Sequence, residues 1–233
     1  LKAGLKNQLF IYLCQVFPNT EMWEKDYQAR FGIVTRRIEL NEIHGAIRSK
    51  DLTPEYEDII VTTNAMTIDE WQDMVLFSWL TMVMHSLKVG FFVMSWLYNR
   101  HGKSYADFIS FLAQSNTPIM GEVKWEMRRQ IMRILCGEGR GRFVEGYAPI
   151  YWDEEEATFL KLSEKWDDFY DELHGLVREF LKNDAYDYQE LVEVMRYQRM
   201  KMPSFGGHDY DMSPFSKNIP EYFDMLLTSQ KVD

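Results

Sequence analysis

The residues with chemistry to offer are few. The chain has two cysteines, Cys14 and Cys136, and five histidines. Two isolated thiols supply neither a disulfide framework nor a zinc-ligand spacing. The carboxylates at 153–156 and 167–172 have no histidine at ligand spacing, so they read as a solvated helix face rather than a metal site. GEGRGR (137–142) sets close glycines beside two arginines. It follows a helix rather than a strand and lacks both the GxGxxG and GxxxxGK spacings, which argues against a phosphate cradle. No Ser–His–Asp order stands out. Sequence chemistry therefore rests on single polar residues at the ends of apolar runs.

Composition bounds the rest. The 233 residues are 46% hydrophobic and 15% aromatic, enough for a sizeable core. Net charge is −10 and the sequence pI about 5.1. An acidic chain is a poor neutraliser of phosphates, so no nucleic-acid partner is expected. Scarce cysteine and no signal-like start fit a reducing cytoplasm. MVLFSWLTMVMHSLKVGFFVMSWLY (74–98) is long enough to span a bilayer, but His85, Lys88 and several Ser/Thr interrupt it. It reads as a buried central helix, or two helices meeting near Gly90, and not as a membrane span. Its Met and Trp residues read as core.

The elements that must position the polar residues come in two kinds. QLFIYLCQVF (8–17) is a continuous apolar run, the pattern of a strand buried on both faces of a parallel sheet. Asn19 or Thr20 can cap a short helix that Gly32 stops. IVTRRIEL (33–40) and DIIVTTNAM (58–66) are further strands. From Thr67 the pattern is helical. TIDE (67–70) is a capping box. Helices are expected over 104–114, over 117–139 with Pro118 in the first turn, over 153–182 as one long acidic helix, over 187–200, and once more in the tail. The fold class is thus mostly α with a small α/β amino-terminal part, divided as 1–66 and 67–233.

In order and spacing, LFIYLCQVFPNTEM, RFGIVTRRIELNEIHG and EYEDIIVTTNAMTIDEW, then HGKSYADFISFL and VMRYQRMKMP, resemble the carboxyl-terminal part of cobalamin-binding radical SAM proteins. The likeness covers residues 5–115 best. It implies that 1–66 is the end of a partial TIM-like barrel and 67–233 a helical region that helps shape the substrate pocket. It also implies that the barrel strands and the cobalamin domain lie upstream of Leu1, so that the chain is a fragment. The resemblance implies that the whole protein uses S-adenosylmethionine, an iron–sulfur cluster and cobalamin in methyltransferase-like chemistry. This chain lacks the family's CxxxCxxC loop and DxHxxG signature, so the fragment is expected to bind no cofactor and catalyse nothing alone.

The resemblance assigns residues by position. The end of the strand at 8–17 faces the cofactor, which implicates Gln15, Asn19 and Glu21 in cofactor contact and Cys14 in the substrate pocket. His44 in NEIHGAI, with Thr63 and Asn64 after the third strand, would line the same mouth. The plain structural readings are a buried Cys14, a capping Asn19, a bonded loop His44, and Thr63 and Asn64 satisfying backbone groups. The expected partners are the missing amino-terminal domains and a small-molecule substrate. The competing reading is a self-contained helical interaction module with the acidic helix as its contact surface. An unpaired edge and a bare apolar face at 8–17 would favour the fragment.

Overall fold

The computed structural model describes residues 6–45, 49, 51–203 and 214–228. Most of them are helical: nine α-helices accompany one three-stranded sheet among the described residues. The chain forms two compact units, each drawn from separated stretches. One combines 10–80 with 121–158, and the other 1–9, 81–120 and 159–233.

The first unit holds the sheet, made of β1 (Gln15–Val16), β2 (Val34–Glu39) and β3 (Tyr56–Thr62) in the order β1-β3-β2. Both pairings are antiparallel, with Gln15 opposite Ile59 and Arg37 opposite Asp58. This corrects the parallel arrangement expected from the apolar run. The run is also not one buried strand. Phe10, Tyr12 and Phe17 are 63%, 75% and 58% exposed. Leu9 explains the late start of the ladder: its N–H and C=O are both taken by the Ser86 hydroxyl, at 3.0 and 2.8 Å. Only at Cys14, whose carbonyl accepts from the Ile60 N–H, does pairing with β3 begin.

Alternation divides the sheet's faces. Ile38, Ile59 and Val61 point to the buried side. Arg37 and Asp58 pair across the other side, where Arg37 is well exposed. Before β2, α1 (Lys25–Phe31) ends at Gly32, whose φ of +61° is the left-handed conformation glycine adopts freely. A Cβ there would also lie 2.1 Å from the Asn64 side chain. After β3, the expected capping box opens α2 (Ile68–Thr81). Thr67 N–H donates to Glu70 at 2.8 Å, and Glu70 N–H donates back to the Thr67 hydroxyl at 3.3 Å. Trp71, Val75, Leu76 and Leu80 bury one stripe of α2, and Met127, Ile131 and Ile134 do so for α5 (Pro118–Leu135).

Beyond α2 the helix widens into a π turn over Met82–Ser86 and stops before α3 (Phe91–His101). Among the described residues no single helix is long and apolar enough to cross a membrane. The apolar stretch is instead spent inside the protein: Met84, Val89, Val93 and Met94 are all within 1% of full burial. The second unit packs α3 against α4 (Tyr105–Gln114) and α8 (Tyr188–Met200), and α8 against α7 (Trp166–Phe180) and α9 (Ile219–Thr228).

Buried polar groups stitch this second core. Gln198 is fully buried; its oxygen accepts from Phe92 N–H at 2.9 Å and its amide donates to Lys88 C=O at 2.7 Å. Tyr170 donates to Val89 C=O at 2.8 Å, so within the non-helical link at 87–90 the carbonyls of Lys88 and Val89 are both satisfied. The single acidic helix expected over 153–182 is two, α6 (Glu154–Ser163) and α7. No glycine or proline marks the break. Trp166 sits just after it, 3% exposed, and donates its indole N–H to Pro203 C=O at 3.0 Å.

Candidate functional site

Because neighbouring residues of a strand face opposite ways, Cys14 and Gln15 serve two different surroundings. Cys14 lies on the rim of an apolar cleft of about 240 Å³ between the 11–14 segment and α2. Trp71, Val75, Trp79 and Ile60 form its buried walls, and Met66 and Met74 add sulfur. The Cys14 thiol is exposed.

Gln15 faces a charged network instead. Its amide donates to Glu57. Arg140 forks onto the same carboxylate at 2.7 and 3.3 Å. Glu57 keeps only 8% of its side chain exposed, so the fork replaces most of its lost hydration. The glycine-rich loop mounts this arginine. A Cβ on Gly139 would approach the Glu39 carbonyl to 2.6 Å, and Asn41 donates to Arg140 C=O at 2.7 Å. Two backbone hydrogen bonds between Arg142 and Trp152 close the loop. Arg142 then reaches Glu126 at 2.6 Å and the buried Glu154 at 3.3 Å. GEGRGR thus holds arginines against carboxylates; its turns are spent on protein contacts.

His44 extends the polar side. Its φ of +61° is unusual for a residue with a side chain. The backbone N–H donates to Tyr151 C=O at 2.8 Å, and the ring edge meets Trp152 at 5.7 Å. Nε2 lies 2.5 Å from Glu156, which also accepts from the Asp153 N–H at 3.3 Å. A carboxylate that orients an imidazole is half of an acid–base pair, and here the ring is 51% exposed. Burial pushes the carboxyl of Glu155 up to about 7, with Asp153 and Glu156 adding like charge. Asp153 is raised as well, again by burial first, against the pull of Arg140.

The remaining candidates are spread out. Asn19 takes a left-handed turn with φ of +64°, and neither neighbouring helix uses its side chain as a cap. Glu21 opens a single 3-10 turn and is exposed. The Thr63 hydroxyl accepts from Ala65 N–H at 3.2 Å. Asn64 bonds Arg30 C=O at 3.0 Å through its side chain and Phe31 C=O at 2.9 Å through its N–H, pinning the end of α1. Antiparallel pairing sets Asn19 and Glu21 beyond one end of the sheet and Thr63 and Asn64 beyond the other. Sequence reading missed Glu57 and Arg140. The one available signal was a charged residue at the start of an apolar strand.

Among the described residues no three His, Cys, Asp or Glu side chains gather to hold a metal ion. Comparison with known proteins gives no match, either to a family model or to a curated sequence.

Proposed function

We propose that this chain is the carboxyl-terminal part of a cobalamin-dependent radical SAM enzyme, methyltransferase-like in its chemistry, acting in the cytoplasm. Alone it performs no catalysis; it completes one side of a barrel and shapes the substrate pocket. One observation carries the reading. Among the described residues, the apolar segment near the amino end pairs with β3 alone, around 14–16, and leaves Phe10, Tyr12 and Phe17 largely in solvent. Aromatic surface of this kind next to an open strand edge is the mark of a missing neighbour. The upstream domains of the same protein would supply that neighbour together with S-adenosylmethionine, the iron–sulfur cluster and cobalamin. Cys14, exposed on one side of the edge strand, would then face the interior it helps enclose, while Gln15 on the other side stays with Glu57.

The test is to express the whole reading frame and reconstitute it anaerobically. The proposal expects a three-cysteine loop upstream of Leu1, iron–sulfur absorbance, and reductive release of 5′-deoxyadenosine from S-adenosylmethionine. Residues 1–233 alone should bind no S-adenosylmethionine. A reading frame without such a loop, or tight stoichiometric binding by the isolated chain, would overturn it. The alternative, a self-contained helical interaction module, draws support from the second unit. Its buried Gln198 is satisfied from within.

A further inference from the structure

We propose that the cleft beside Cys14 binds the uncharged, apolar part of a small molecule, an alkyl or aryl group rather than a sugar or a phosphate. The lining decides the class. It consists of Ile60, Trp71, Val75 and Trp79 as walls, with Met66 and Met74 nearer the opening. The residues around the cleft include no Asp, Glu, Lys, Arg or His. A charged group placed there would lose hydration with no partner to replace it. Hydroxyl-rich rings fare little better, because the Ser78 hydroxyl in the lining already donates to Met74 C=O at 2.8 Å and the other hydroxyl, on Tyr12, belongs to a largely exposed side chain. Two indoles and two thioethers offer polarisable surface in return, which suits hydrocarbon and aromatic groups of varied shape.

Size narrows the class further. About 240 Å³ holds on the order of eight water-sized units at ~30 Å³ each, the bulk of one ring system or a short chain. The rest of the ligand must lie outside, past the exposed Cys14 and Tyr12. Ligand sites in general pair such an apolar body with a few polar anchors. The inference rests on the reading of Cys14 as part of a substrate pocket. The walls, however, all belong to this chain, so the cleft can be tested apart from the radical chemistry.

The probe is N-phenyl-1-naphthylamine, neutral and fluorescent in apolar surroundings, titrated into the whole chain. Saturable binding is expected, weakened at least tenfold in S78F, which fills the cleft from a half-exposed position on α2. A second readout covers the case in which that variant folds poorly. In C136S, where Cys14 is the sole thiol, the probe should slow iodoacetamide alkylation of Cys14 by at least threefold. No saturable binding by the wild-type chain would overturn the proposal, and so would alkylation that the probe leaves unchanged. Binding that appears only as the chain self-associates on concentration would assign the cleft to a second copy and overturn it too. If the probe binds while the full protein releases no 5′-deoxyadenosine, the cleft stands and the enzyme reading falls. If 5′-deoxyadenosine forms but the probe does not bind, the reverse holds.

Discussion

The interior of the helical unit and the amino-terminal edge of the sheet treat side chains in opposite ways. Around α8, several buried polar residues are engaged, though among the described residues the Tyr197 hydroxyl has no partner. Gln198 spans two backbone groups of the 88–92 link, and Glu193 accepts from the N–H groups of Ser216 and Lys217. Glu190 takes the Trp96 indole at 2.9 Å and the Arg100 guanidinium at 3.0 Å. Burial pushes Glu190 up, yet those donors and the Arg100 charge leave it below the usual carboxylate range. Along residues 10–17, by contrast, large aromatic groups lie in water beside a backbone edge that is unpaired among the described residues. One region meets many of its polar costs internally; the other leaves apolar surface uncovered among the described residues. That contrast is the physical basis of the functional proposal.

The contrast can be broken most forcefully at Gln198. Q198L should strand the Phe92 N–H and Lys88 C=O in a dry interior, at about 1–3 kcal/mol for each unsatisfied group. A loss of about 4 kcal/mol in urea unfolding is expected. A loss under 1 kcal/mol would mean that the link at 87–90 is not held as described. Next in size is the Glu57–Arg140 fork. R140A leaves a nearly buried carboxylate with only Gln15, and should cost ~2–3 kcal/mol. The double-mutant cycle with E57Q tests whether the two residues couple; additive losses would show that they do not.

Glu155 sharpens the comparison through pH. Its folded-state value of about 7 lies above the ordinary one, so the folded protein holds a proton that the unfolded chain releases. The burden is absent below about 4.5 and complete above about 7. Stability should therefore fall as pH rises through that window. E155Q should flatten the fall by on the order of 1–2 kcal/mol, read from unfolding at pH 5 and pH 8. An unchanged slope would remove Glu155 as its source. The smallest effect is expected at the open edge. Replacing both Phe10 and Tyr12 by Ser should change the stability of the isolated chain by less than ~0.5 kcal/mol, because little burial is lost. It should nonetheless reduce self-association in sedimentation. A loss of 2 kcal/mol would show that these side chains are already packed.

What was legible in the sequence was local. The capping box at Thr67 and Glu70, the left-handed stop at Gly32, the first-turn Pro118 and the interruption before Gly90 each follow from a few adjacent residues. What was illegible depended on distant partners. A continuous apolar run does not say which side it pairs on, and Ser86 takes Leu9 from 77 positions away. Strand direction depends on distant partners in the same way. Glu57 and Arg140 are 83 positions apart, and nothing near either predicts the fork. The break between α6 and α7 carries no helix-breaking residue; Trp166 beside it bonds Pro203 C=O, 37 positions away.

Amide hydrogen exchange over residues 8–17, in the isolated chain and in the protein made from its whole reading frame, tests the central claim most directly. The account predicts rapid exchange in the isolated chain outside the short ladder at 14–16, and at least a hundredfold slowing across the segment in the longer protein. Equal, rapid exchange in both would mean that nothing upstream covers the aromatic edge, and the enzyme context would lose its basis.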